Sequence, residues 1–159
     1  MAVSHTDNFI EQMGMLTQAD GGPRIAGRIF GLLLVEGHPF TLDEMAARLT
    51  ISKASASTNA RLLLASGMIR LVAVAGDRRD FYELGEHPYS RMIDTISGQL
   101  RRSGAAVRAA EKQFPDSDAA AKKRVGELAD FYIGSADFFS NWASHLDDAP
   151  TKTAESDSK

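Results

Sequence analysis

Cysteine is absent from this chain, which removes disulfides, thiolate metal sites and cysteine nucleophiles together. Long apolar runs are missing as well. Stretches such as residues 29–35 are far too short to cross a bilayer. The amino end, MAVSHTDNFIEQ, has no basic segment followed by an apolar core, so a cytoplasmic protein without membrane contact is expected. Enzyme patterns are lacking too: no H-E-x-x-H, G-x-S-x-G or phosphate-loop motif occurs. His5, His38, His87 and His145 are scattered without metal-ligand spacing. Asp43 and Glu44 are adjacent carboxylates, but they fall in the first turn of an expected helix, where acids are favoured for capping. No catalytic residue, cofactor or metal is therefore expected, and the chain is read as a non-enzyme.

An excess of base is also missing, since the formal net charge is -3. Its distribution is more informative than its sum. Residues 1–22 carry three acids and no base, and residues 116–159 carry nine acids against five bases. Between them, residues 23–85 hold eight Lys/Arg against six Asp/Glu, and residues 86–115 five against three. Base gathers in the middle of the chain and acid at its ends.

Helical periodicity begins over residues 8–16, with Phe9, Met13 and Leu16 on one side. TQADGG then interrupts the pattern, and Pro23 suits the first position of a second helix, RIAGRIFGLLLVEG. Ala26, Gly27 and Gly31 permit close packing in that helix, and Gly37 is a stop. In FTLDEMAARL, Thr41 and Glu44 have the spacing of a capping box, while Leu42, Met45, Ala46 and Leu49 form a buried face. Three residues later Ser52 opens SKASASTNARLLLASG, ended by Gly67. Two short helices on so tight a connection match a helix-turn-helix. After Gly67 the period shortens: MIRLVAVAG is β-prone, DRRD is a charged turn, and FYELG returns as a strand. A hairpin directly after the second helix of such a pair is a wing.

The helix opening at Ser52 has a slim polar face suited to the major groove of DNA. Lys53, Ser57 and Arg61 lie along one line, opposite Ala56, Ala60 and Leu63. Ser52 and Ser55 stand at the amino end, where the helix dipole favours a phosphate. Lys53 and Arg61 are assigned to phosphate or guanine contacts, and Ser57 and Thr58 to base edges. The same serines and threonines also fit a solvated face with an ordinary N-cap. Arg78 and Arg79 form a basic hairpin tip able to reach a minor groove or the backbone, and Asp77 and Asp80 are expected to fix the turn or orient an arginine. Arg24 and Arg28, one turn apart, either touch phosphates or hold acidic partners within the module.

GGPRIAGRIFGLLLV, FTLDEMAARLTISKASASTNARLLLASGMI and VAVAGDRRDFYEL together resemble the MarR-like winged-helix regulators. The resemblance is greatest to the GbsR-like branch, typified by the glycine betaine synthesis repressor, and is strongest over residues 21–84. It implies that residues 52–66 enter the major groove, that residues 75–81 contact the minor groove, and that terminal helices dimerise the protein. It also implies release of DNA on binding a small molecule. Ala56 and Ala60 depart from the larger aliphatics usual in that pattern, which implies a thinner core under the recognition helix.

Beyond Pro88 the pattern is helical again, through Tyr89, Ile93, Ile96, Leu100, Val107, Ala110 and Phe114, until Pro115 interrupts it. A last helix is expected over residues 119–146. One stripe holds Val125, Ala129, Tyr132, Ala136, Phe139, Ala143 and Leu146; a second holds Leu128, Phe131, Phe138 and Trp142. Burial against a second subunit, aided by the amino-terminal helix, is the simplest use of so much apolar surface. A homodimer of this kind presents two recognition helices about 34–36 Å apart to a pseudo-palindromic operator. Tyr89, Tyr132, Phe139 and Trp142 are either part of a packed interface or the lining of an effector pocket, in which an aromatic cage suits a cationic ligand.

The fold class expected is mainly α with a small β-hairpin wing: a winged helix-turn-helix flanked by dimerisation helices. Its expected divisions are residues 1–22, an amino-terminal dimerisation helix; 23–86, the DNA-binding domain; 87–148, the carboxy-terminal dimerisation helices; and 149–159, a disordered tail. The function expected is a sequence-specific regulator of transcription on double-stranded DNA, in the sense of a repressor. The alternative is a winged-helix scaffold for protein interaction or dimerisation without specific DNA binding.

Overall fold

The computed structural model describes residues 4–148, and the tail expected to be disordered lies outside the described residues. The chain forms two compact units that divide after Pro88. Each is described by itself.

The first unit opens with α1 (His5–Ala19), capped by Ser4, whose hydroxyl accepts from the Thr6 N–H. The face expected for this helix is corrected by the structure. Ile10 and Gly14 are buried, whereas Leu16 is exposed. The reason lies in α2 (Arg24–Glu36), against which α1 packs closely, with Pro23 as N-cap rather than first helical residue. Side chains are replaced at that contact by glycine: a Cβ on Gly27 would stand 2.5 Å from the Met13 carbonyl oxygen. α1 thus joins the core of the module instead of standing apart from it, and Ile10 clusters with Ile29, Leu33 and Met45. Gly37 closes α2 in the left-handed conformation (φ 65°) and donates to the Leu33 carbonyl, as its lack of a Cβ permits.

A two-residue strand not expected from sequence, β1 (Phe40–Thr41), precedes α3 (Leu42–Leu49). The capping box forms as expected: Thr41 Oγ1 accepts from the Glu44 N–H at 3.2 Å, and Glu44 Oε2 accepts from the Thr41 N–H at 2.8 Å. Met45 and Leu49 point into the core, flanked by half-buried Leu42 and Ala46. The turn to α4 (Lys53–Ala65) is closed by Thr50 in the left-handed region (φ 53°), with the Ile51 N–H donating to the Ala46 carbonyl. A β-branched residue is strained there, so the tight turn is held by the packing of the two helices it joins. β2 (Ile69–Val72) and β3 (Phe81–Leu84) make the hairpin, and β1 pairs with the other edge of β3. The antiparallel sheet has the order β1-β3-β2, with Tyr82 opposite both Phe40 and Leu71.

The second unit pairs α5 (Pro88–Glu111) with α6 (Ala119–Asp148), joined through a 3-10 turn over Asp116–Asp118. Small residues at seven-residue spacing meet along their seam. Ser90, Ser97 and Gly104 are buried on α5; Ala129, Ala136 and Ala143 are buried on α6. Ser97 Oγ donates to the Ala136 carbonyl at 2.9 Å and lies 2.7 Å from Ser140 Oγ. A Cβ on Gly104 would meet Ile133 Cγ1 at 2.8 Å, a further mark of close approach. Arg101–Asp137 and Arg108–Asp130 ion pairs flank the seam. Because small residues let the helices close on each other, the bulky side chains stay outside. Phe131 and Phe138 are 65% and 67% exposed, and Leu128 and Trp142 about half exposed.

Candidate nucleic-acid interface

The second helix of the helix-turn-helix divides its residues as the alternation of apolar and polar positions demands. Ala56 and Ala60 are fully buried with Leu63, so the α4 backbone lies close upon the core. Lys53, Ala54, Thr58, Arg61 and Leu62 are exposed on the other side, and Ser57 is half-buried at its border. Asn59 is buried and donates from Nδ2 to the Ser55 carbonyl at 2.9 Å. The amino end is engaged with itself. Ser52 is the N-cap, its hydroxyl accepting from the Ser55 N–H at 3.1 Å and donating to Ser55 Oγ at 3.0 Å. Of the candidates on this helix, the structure therefore brings Lys53, Thr58 and Arg61 to one accessible face, with Ser57 beside them, and bonds Ser52, the N-cap, to Ser55 at the amino end.

The hairpin tip is organised by Asp77. Gly76 (φ 84°) turns the chain, and the Asp77 N–H donates to the Val74 carbonyl. One Asp77 carboxylate oxygen accepts from the Arg79 N–H at 2.9 Å, and the carboxylate takes Arg79 Nε and Nη2 at 3.0 and 2.6 Å. The Arg79 guanidinium also lies 5.3 Å from the Phe81 ring centre and 3.7 Å from Glu44 Oε1. These bonds hold the Asp77 carboxyl at a pKa of about 2 and raise that of Arg79. With a depressed folded value, the clamp is whole above the ordinary carboxylate range and is lost only as pH falls through about 2. Glu44 is likewise lowered, first by its bond from the Thr41 N–H. Arg79 is thus the anchor of the turn. Arg78 is exposed beside it, as is Asp80.

Arg24 and Arg28 both meet acidic or backbone partners within the module in the free chain. Arg24 Nη2 donates to Glu11 Oε2 at 2.9 Å, with half of its side chain exposed. Arg28 is more deeply placed: Nη2 donates to the Leu49 carbonyl at 2.9 Å, and Nε stands 2.6 Å from Glu11 Oε1. The reason is α1, which lays Glu11 across both guanidinium groups.

Two acidic residues that sequence reasoning assigned only to helix capping also belong to this face. Asp43 Oδ1 lies 2.8 Å from Lys53 Nζ, and Glu44 reaches Arg79. Asp43 is ten positions before Lys53, so no local period signals the pair.

The four aromatic residues expected as an effector lining are spread along the second unit. Gly104 on α5 is level with Tyr132 on α6. Tyr89 lies fifteen residues before Gly104, about 22 Å along the helix axis. Phe139 and Trp142 are neighbours, their ring centres 6.3 Å apart, and Tyr132 contacts Phe131. An open apolar hollow of about 490 Å³ does occur on α6, between Phe131 and Phe138 beside Gly134 and Phe139. Among the described residues, no three His, Asp or Glu side chains gather as a metal site, and no helix is long and apolar enough to cross a membrane.

Residues 23–80 match the family model described as MarR family. The chain is 40% identical over 83 residues to the HTH-type transcriptional regulator MmpR5 of Mycobacterium tuberculosis, covering 52% of this chain and 50% of that protein. It is 31% identical over 91 residues to YvaV of Bacillus subtilis, provisionally assigned as an HTH-type transcriptional regulator, covering 57% and 51%. The chain thus spans about half the length of these curated relatives. A crystal structure of a transcriptional regulator is similar at a TM-score of 0.77 and 26% identity, over 92% of this chain and 100% of that one. Over residues 23–80 the chain accordingly matches the MarR family, on a segment folded as a winged helix-turn-helix.

Proposed function

We propose that this chain is a double-stranded DNA-binding regulator of transcription, acting as a homodimer in the cytoplasm. The observation that carries the proposal is the single accessible face of α4, where Lys53, Thr58 and Arg61 stand clear of the core next to a wing tip bearing Arg78. A helix with alanines beneath it and polar residues outward enters a major groove without bulk to exclude it. Lys53 and Arg61 serve phosphate or guanine, and Thr58 and Ser57 serve base edges. Arg78 reaches the neighbouring backbone or minor groove, while Arg79 keeps the turn rigid. Arg24 and Arg28 tie α1 to the module, and Ser52 and Ser55 set the start of the recognition helix. The exposed stripe Leu128, Phe131, Phe138 and Trp142 supports dimerisation, because a lone chain leaves this apolar surface in water.

Selection of bound sequences from random duplexes at defined salt tests the reading. A pseudo-palindrome with half-sites one helical turn apart, or a multiple of it, is the expected outcome. Arg78→Ala is expected to weaken binding evenly across sequences and to lower the salt slope by about 1. Failure to enrich any motif removes sequence-specific regulation, and an unchanged slope removes the wing contact.

The resemblance over residues 21–84 further supports placement in the GbsR-like branch, as a repressor whose DNA affinity a small molecule alters. Phe139 and Trp142 are neighbours on α6 for such a ligand, with Tyr132 and Tyr89 as further candidates along the same unit. A change in operator affinity with at least one member of a broad metabolite panel is expected, and constant affinity throughout would rule the effector out.

A further inference from the structure

A cleft of about 300 Å³ opens between the start of α3, the start of α4 and the wing tip, lined by Thr41, Asp43, Lys53, Arg78, Arg79 and Asp80. Three cations surround it, and two of them are already neutralised from within. Arg79 is held by Asp77 in the bonds that shape the turn. Lys53 is held by Asp43, which contacts Nζ through both oxygens at 2.8 and 3.0 Å. The acids around this tip differ in what else they do. Asp77 builds the turn, and Glu44 completes the capping box. Asp43 contributes no bond to the α3 cap, and its side chain is given over to Lys53. Both members of that pair are 64% exposed, so water and salt reach them freely.

We propose that the cleft is the seat of one DNA phosphate and that Asp43 is an internal competitor for it, holding Lys53 until a phosphate displaces it. The inference rests on the DNA-binding reading above. Its physical basis is exchange. A phosphate between Lys53 and Arg78 supplies the same charge-assisted contact that Asp43 supplies in the free protein. Lys53 then gains little net energy from a generic phosphate, and Asp43 stands as a negative charge beside the backbone. Both effects lower affinity for any duplex that offers phosphates alone, while base-edge contacts by Thr58 and Arg61 are untouched. Asp43 in this view weakens a phosphate contact that every duplex offers, so it lowers the baseline affinity and leaves tight binding to depend on the base-edge contacts. Counterions follow the same logic. When Lys53 binds a phosphate it releases a cation from DNA, but the freed Asp43 gathers one, so this contact adds almost nothing to the salt slope.

Binding of the full chain to a random-sequence duplex, titrated across potassium chloride concentrations, tests the proposal. Asp43→Asn is expected to tighten that binding about 2- to 5-fold at low salt, the scale of an exposed ion pair. It is also expected to steepen the slope of log K against log salt by about 0.9. In a Lys53→Gln background, Asp43→Asn is expected to tighten binding markedly less and to leave the slope nearly unchanged, since the cation it frees is gone and only the charge beside the backbone is relieved. Asparagine keeps a polar group in the first turn of α3, and thermal melting checks that the fold is retained. Equal or weaker binding by Asp43→Asn overturns the competitor role. An undiminished tightening in the Lys53→Gln background overturns it as well, assigning Asp43 to long-range repulsion. If the wild-type chain binds no duplex at low salt, the DNA-binding reading itself falls, and this inference with it.

Discussion

Replacing both Phe131 and Phe138 with glutamate is expected to halve the equilibrium mass in sedimentation and to weaken operator binding about 100-fold or more. Both rings are about two-thirds exposed in the single chain, and they rim an open hollow beside Gly134. Neither takes part in the Ser97–Ala136–Ala143 seam, so the α5–α6 pair is expected to fold with the glutamates in water. At a subunit interface the same carboxylates would be stripped of water without a partner charge, a cost of several kcal/mol each. Loss of dimerisation also separates two half-site contacts that otherwise reinforce one another by effective concentration. A wild-type chain that sediments as a monomer at micromolar concentration, or a double variant that still sediments as a dimer, would remove α6 as the dimer surface. A dimeric wild type whose monomeric variant keeps full operator affinity would instead separate DNA binding from dimerisation.

The second large effect concerns stability. Gly27→Ala is expected to destabilise the first unit by about 2 kcal/mol, although alanine is the better helix former. The new methyl would overlap Thr17 Oγ1 and stand 2.5 Å from the Met13 carbonyl oxygen. A threonine hydroxyl can rotate aside, but a carbonyl within α1 can move only with its helix. Urea denaturation measures the loss, and hydrogen exchange shows where it falls. Earlier exchange confined to α1 is expected if the helix lifts away while α3 and α4 stay packed. Gly98→Ala on α5 is the control, since its nearest contact would be an ordinary 3.5 Å to the end of the Arg102 side chain. That change is expected to be neutral or stabilising by up to about 1 kcal/mol. Equal stability of the Gly27→Ala variant and the wild type would show that the two helices are not locked at this contact.

Interactions reaching three or four residues along the chain are legible in the sequence. Thr41 and Glu44 declare their capping box by spacing, Gly37 marks the end of α2, and Pro115 separates α5 from α6. The change of period after Gly67 announces the hairpin because strand and helix bury different sets of positions. The same reasoning identifies the exposed polar face of α4, since Ala56, Ala60 and Leu63 must turn inward together.

Pairing across distance escapes that reasoning. β1 is two residues long and gains its identity only from β3, some forty positions later. Periodicity places Leu16 on the buried side of α1, yet the docking partner is a glycine-lined face of α2 that selects Ile10 and Gly14 instead. On α6, periodicity puts Ala129, Ala136 and Ala143 in one stripe with Tyr132 and Phe139, but only the close approach of α5 selects the small members of that stripe for burial.

The order of helices, the wing and the polar line along α4 are consequences of local periodicity, and the amino-acid sequence determined them unaided. Tertiary structure alone decided which carboxylate each cation meets: Arg28 and Arg24 are drawn to Glu11, Arg79 to Asp77, and Lys53 to Asp43. Only the partnership of Arg79 with Asp77 lies within reach of local spacing. The others depend on which helices meet, because an ion pair forms wherever two opposite charges come within about 4 Å, whatever their separation along the chain.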